Sequence, residues 1–157
     1  MKESIGSTQL FIIVIFLIVL FSGIIALTMN HSNAFAIKSQ IVDVIEKNGG
    51  FDTLKSLDSG ASYEPLEEIV SYLTNSSYRQ KGPCSGSAVG YDRSGIFSSI
   101  GSSASFCIEK IAYVNNSSTG LPPTYIYRVT VFYGLDIPVI RQWIPLKVVG
   151  ETKPLYN

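Results

Sequence analysis

Two cysteines and one histidine, set among scattered carboxylates, limit the covalent and metal chemistry open to this chain. Cys84 lies in Gly82-Pro83-Cys84-Ser85-Gly86, which superficially matches a nucleophile elbow with Cys at its centre. An elbow needs a strand before it, a helix after it and a base to activate the thiol. The flanking residues predict neither element, and His31 is far away beside an apolar run. His31 reads as an interfacial polar residue, because no cysteine or carboxylate cluster joins it to make a metal site. Glu67 and Glu68 are adjacent, so on a helix they point in different directions and form a solvated face rather than an acid–base pair. Gly86, Gly90 and Gly95 do not open a helix, so a phosphate loop is unsupported. Asn75, Asn115 and Asn116 stand in N-x-S sequons, which matter only in a eukaryotic secretory setting. The expectation is a protein that is not an enzyme and carries no cofactor or metal.

The cysteines have another use. Residues 82 to 105 are rich in Ser and Gly and poor in large apolar residues, which predicts a long loop or irregular hairpin. Cys84 and Cys107 bracket it. A disulfide between them closes a loop of about 24 residues and stabilises by roughly 3 kcal/mol in the chain-entropy model. Two free buried thiols are the alternative.

The elements that position these groups follow from an uneven distribution of apolar residues. Of 157 residues 46% are hydrophobic and 15% charged, with twelve Lys+Arg balancing twelve Asp+Glu. A neutral chain without a basic block has no electrostatic footprint for nucleic acid. No charge occurs between Glu3 and Lys38. Residues 1–9 form a short flank, and 10–29 (LFIIVIFLIVLFSGIIALTM) read as a transmembrane helix, about 30 Å long at 1.5 Å per residue. The lysines flanking it lean slightly against an external C-terminal domain. The short N-terminal flank and the cysteine pair argue for one. A rival reading is a signal peptide cleaved between Ala36 and Ile37, after the A-x-A sequence Ala34-Phe35-Ala36.

Residues 30–48 continue the helix. Phe35, Ile37, Ile41, Val44 and Ile45 form one apolar stripe, and Asn48-Gly49-Gly50 supplies a stop. The β-branched run 41–45 makes a strand the competing reading. The stripe reads as core packing, with contact to a neighbouring subunit as the alternative. Residues 49–157 form the head. Residues 51–60 read as a linker, and 64–73 as a short helix burying Leu66, Ile69, Val70 and Leu73, with Pro65 in its first turn. Residues 104–114, 125–133 and 143–152 predict strands, with a turn over 115–123. In the last strand Ile144, Leu146 and Val148 face inward. The fold class is α+β, a long N-terminal transmembrane helix extending into a small antiparallel-sheet extracytoplasmic domain.

This layout resembles the lollipop plan of type IV pilin-like proteins. The tail YIYRVTVFYGLDIPVIRQWIPLKVVGETKPLY resembles that of TadE-like pseudopilins of tight-adherence (Flp-type) pilus systems, with an alternating strand, a Pro-containing apolar link and a last strand. The resemblance implies a minor pilin or assembly component held in the cell membrane. Its partners would be the lipid bilayer, other pilin-like subunits and an assembly platform. Pilin precursors are cut after a Gly and carry Glu at the fifth mature position. Gly6 and Ser7 could form the cut site, but the fifth position is Leu10. The alternative function is a membrane-anchored or secreted binding module that uses the Ser/Gly-rich loop.

Overall fold

The computed structural model describes residues 2–53, 63–76, 78–92, 97–98, 103–114, 123–134 and 146–156, with side chains from Thr8 onward except at 97, 98 and 114. The turn 115–122, most of the 51–60 linker, the start of the last expected strand with Ile144, and Gly95, Asn115 and Asn116 lie outside the described residues.

Helix α1 runs unbroken from Lys2 to Lys47. Its first half is apolar on every side, and each residue from Leu10 to Phe21 is 41–66% exposed. This is one helix long and apolar enough to cross a membrane, as a single span or a signal sequence. Its two internal hydroxyls do not break that character. Ser22 Oγ donates to the Val19 carbonyl and Thr28 Oγ1 to the Ile24 carbonyl, so the helix satisfies them itself. At the other end Gly49 adopts φ +69°, the left-handed conformation that glycine tolerates best. Gly50 N–H then reaches the Ile45 carbonyl and Gly49 N–H the Glu46 carbonyl, the paired bonds of a Schellman stop.

Helix α2 spans Glu64–Asn75, two residues longer than its pattern predicts, with Pro65 in the first turn and Glu64 and Glu67 at its positive end. Short strands β1 (Gly82–Pro83), β2 (Val89–Tyr91), β3 (Phe97–Ser98) and β4 (Ser103–Ala104) structure the Ser/Gly region. Strands β5 (Phe106–Val114), β6 (Thr124–Tyr133) and β7 (Leu146–Glu151) form the expected meander, and β8 (Leu155–Tyr156) is an addition. The sheet is antiparallel throughout, ordered β3-β2-β5-β6-β7, with β8 also on β6 and β1 paired separately to β4. The structure is α+β.

Register sorts the side chains. Phe106 faces Val131 across the β5–β6 pair and Ile108 faces Val129, on one side of the sheet. There they meet Ala34, Ile37, Ile41, Val44 and Ile45 of α1 and Leu66, Ile69 and Leu73 of α2 in a single core. Tyr91 is fully buried within it, stacked on Phe106 at 5.2 Å and edge-on to Phe51 at 5.5 Å. The α1 stripe therefore packs on the head, with one correction. Phe35 is 51% exposed and turned away, under the Lys38 ammonium at 4.1 Å from its ring centroid. The helical period explains this: Phe35 leads Ile37 by two residues, about 200° around the axis.

Ile41→Ala should lower stability by about 2–5 kcal/mol through a core cavity, whereas Phe35→Ala should stay within about 0.5 kcal/mol of the parent. Chemical denaturation of the detergent-solubilised chain measures both. Burial also pushes the Tyr78 and Tyr91 hydroxyls well above the ordinary 10.0. A raised folded-state value holds the proton more tightly than the unfolded chain does. The associated stability is complete below pH 10 and falls as pH rises beyond it. Denaturation midpoints from pH 8 to 11.5 should decline only from about pH 10 upward.

Candidate functional site

The outer face of the sheet carries the cysteines. Cys107 on β5 and Cys84 after β1 have sulfurs 2.04 Å apart, a disulfide. With Ala88, Ala104 and Phe132 they make a small second core on the side away from α1. Gly82 is required there, because a Cβ at this position would run into the Phe132 ring. Around this core Arg128 bridges Glu109 at 3.3 Å and Glu151 at 3.0 Å, and Ser87 donates to Glu109 at 2.7 Å. Cys84, Ala88, Cys107, Glu109 and Arg128 line a shallow cleft of about 280 Å³. With its sulfur bonded to Cys107, Cys84 offers no thiolate in the Gly82–Gly86 segment. Among the described residues no group of three His, Cys, Asp or Glu is placed to hold a metal ion.

The other expected site residues are spread along α1. Gly6 and Ser7 lie in helical backbone near its start, while Ala36 is exposed and Ile37 is in the core. The Ala36–Ile37 bond is thus inside a helix that seats the head. Cleavage there would separate Ala34, which is fully buried, from the domain that buries it. His31 meets Tyr133 edge-on at 5.2 Å, and Asn30 Nδ2 donates to the Gly134 carbonyl at 2.8 Å. The end of β6 therefore docks on α1 directly after the apolar run. Glu67 is exposed and Glu68 stands 3.9 Å from Lys47, in keeping with a solvated face.

Two larger clefts flank α1. The distal one, about 530 Å³, lies beside the helix stop and is lined by Asn48, Phe51, Asp52, Tyr63, Lys110 and Tyr127. Tyr63 is raised above its ordinary value chiefly by burial, and its oxygen accepts the Asp52 N–H at 2.7 Å. Lys110 lies over the Tyr125 ring at 4.0 Å. The proximal cleft, about 460 Å³, lies between Asn30 and Asn33 of α1, the end of α2 and residues 78–80. No sequence motif marks either cleft, because their residues come from separate segments and share no spacing.

Comparison with protein-family models, curated proteins and solved structures finds no match to this chain.

Replacing both Cys84 and Cys107 with Ala should cost about 2–4 kcal/mol, as expected for opening a loop of this size. The core on the α1 side should keep its secondary structure. Circular dichroism and denaturation, with and without reductant, read the difference, and an unchanged midpoint would remove the stapling role.

Proposed function

We propose that the chain is a single-pass membrane-anchored structural protein of pilin-like plan. Its head stands outside the cytoplasm, and its helix serves both as anchor and as packing surface for other subunits. One observation carries this reading: a single helix is apolar from Leu10 to Met29 and exposed around its whole circumference over Leu10–Phe21, then buries a stripe in the head without a break. Lipid satisfies the first half as solvent, because a helix closes all its own backbone bonds. The disulfide supports an oxidising compartment for the head. The unbroken helix and compact head also support the pilin-like plan, in which helices from several subunits pack side by side.

Fractionation tests the anchor and cross-linking tests the packing. The chain should stay in the membrane pellet under alkaline extraction, with its cysteines blocked from alkylation until reduced. With a single added cysteine, Val14→Cys, mild oxidation should give disulfide-linked species between helices. A soluble chain starting at Ile37 would overturn the anchor. A Val14→Cys protein that remains monomeric at native expression would overturn the subunit-packing role.

A further inference from the structure

We propose that the proximal cleft binds the phosphate of a membrane phospholipid headgroup, with Arg79 as its cationic partner. This rests on the membrane-anchored reading above. Position is the first support. Asn30 immediately follows the apolar run and Asn33 is four residues beyond Met29, so both lie within about 6 Å of its end. The headgroup layer on each side of a bilayer is about 5–7 Å deep. The cleft therefore opens at the level where lipid phosphates lie, and its volume of about 460 Å³ suits a headgroup.

Unused polar groups are the second support. Arg79 is exposed, lines the cleft and has no ion pair among the described residues, although five other basic-to-acidic contacts are formed on the head and upper α1. Its planar guanidinium matches two phosphate oxygens at once. Tyr78, 8% exposed, lines the same cleft, and its buried hydroxyl has no hydrogen-bond partner among the described residues. A buried hydroxyl left without a partner calls for an explanation, and a bound oxygen ligand supplies one. Asn33 contributes an exposed amide. Tyr72 and Tyr133 complete the wall, and tyrosines concentrate at membrane–water interfaces for their amphipathic rings.

One feature opposes an anion here. The C-terminal end of α2, with its partial negative charge, borders the cleft. Ser76 offsets it by covering two terminal carbonyls, donating its N–H to Tyr72 and its hydroxyl to Leu73. Among the described residues no carboxylate lines the cleft, and Arg79 is the single formal charge at its wall.

The test uses the full chain in detergent micelles doped with phosphatidylglycerol, read by native mass spectrometry. The expected result is one retained phosphatidylglycerol per chain, with at least a tenfold loss of retention in Arg79→Gln. Lys153→Gln, a charge removed from the far end of the head, should retain lipid as the parent does. A phosphate-free galactosyl diacylglycerol should not be retained, and excess inorganic phosphate should not displace the lipid. Equal retention by Arg79→Gln, or equal retention of the galactolipid, would overturn the site. Displacement by inorganic phosphate would overturn its assignment to lipid. Alkaline extraction of the same proteins separates the two readings: a parent chain that stays in the membrane yet retains no phosphatidylglycerol defeats this inference alone.

Discussion

Everything in the head depends on how the upper half of α1 is seated. Ala34, Ile37, Ile41, Val44 and Ile45 supply the surface on which both α2 and the inner face of the sheet close. Without that stripe, the inward residues of β5 and β6 would face water. A two-layer domain of this size has little other apolar area to hold it together. From Leu10 to Phe21 the same helix packs on no other element among the described residues, and each of these residues is 41–66% exposed. One continuous hydrogen-bonded rod is thus apolar and exposed along one half and packed on the head along the other, and the change falls at Asn30–Asn33. The docking of Gly134 on Asn30 and of Tyr133 on His31 brings the lower rim of the head to that boundary.

The reverse side of the sheet is organised differently. Among the described residues no helix covers it, and the cover is a short irregular segment pinned by the Cys84–Cys107 bond and pressed on Phe132. Small residues make the close approach possible, with Gly82 against the ring and Ala88 and Ala104 beside it. Cross-strand charges from Arg128, Glu109 and Glu151 close the rest of that face and stay partly in water, where each pair adds little. The disulfide therefore does on one face what packing area does on the other.

Much of this plan is legible in the residues. The apolar run, the three- and four-residue spacing after it and the Asn48-Gly49-Gly50 stop define α1 because each is a local, periodic signal. The alternation in Thr124–Tyr133 marks β6 for the same reason. Tyr91 was hidden because one aromatic in a Ser/Gly-rich stretch has no period, yet it sits in the middle of the core. Phe132 reads as an outward residue by alternation, and only the folding back of residues 82–88 buries it. The β8 pairing depends on Thr152, whose hydroxyl and N–H exchange bonds with Tyr127 where the ladder would otherwise lapse. The proximal cleft escapes sequence reading because Asn33, Tyr78 and Arg79 meet only after the head has docked on the helix.

The unbroken path of α1 has a mechanical consequence. Its 46 residues make a rod about 70 Å long with no proline or irregular turn to act as a joint. Rotation and tilt at one end are therefore transmitted to the other. Each residue advances the helical phase by about 100°, so the number of residues between the apolar run and the head sets the compass bearing of the sheet relative to the faces of the lower helix. The azimuth of the head is encoded in a length.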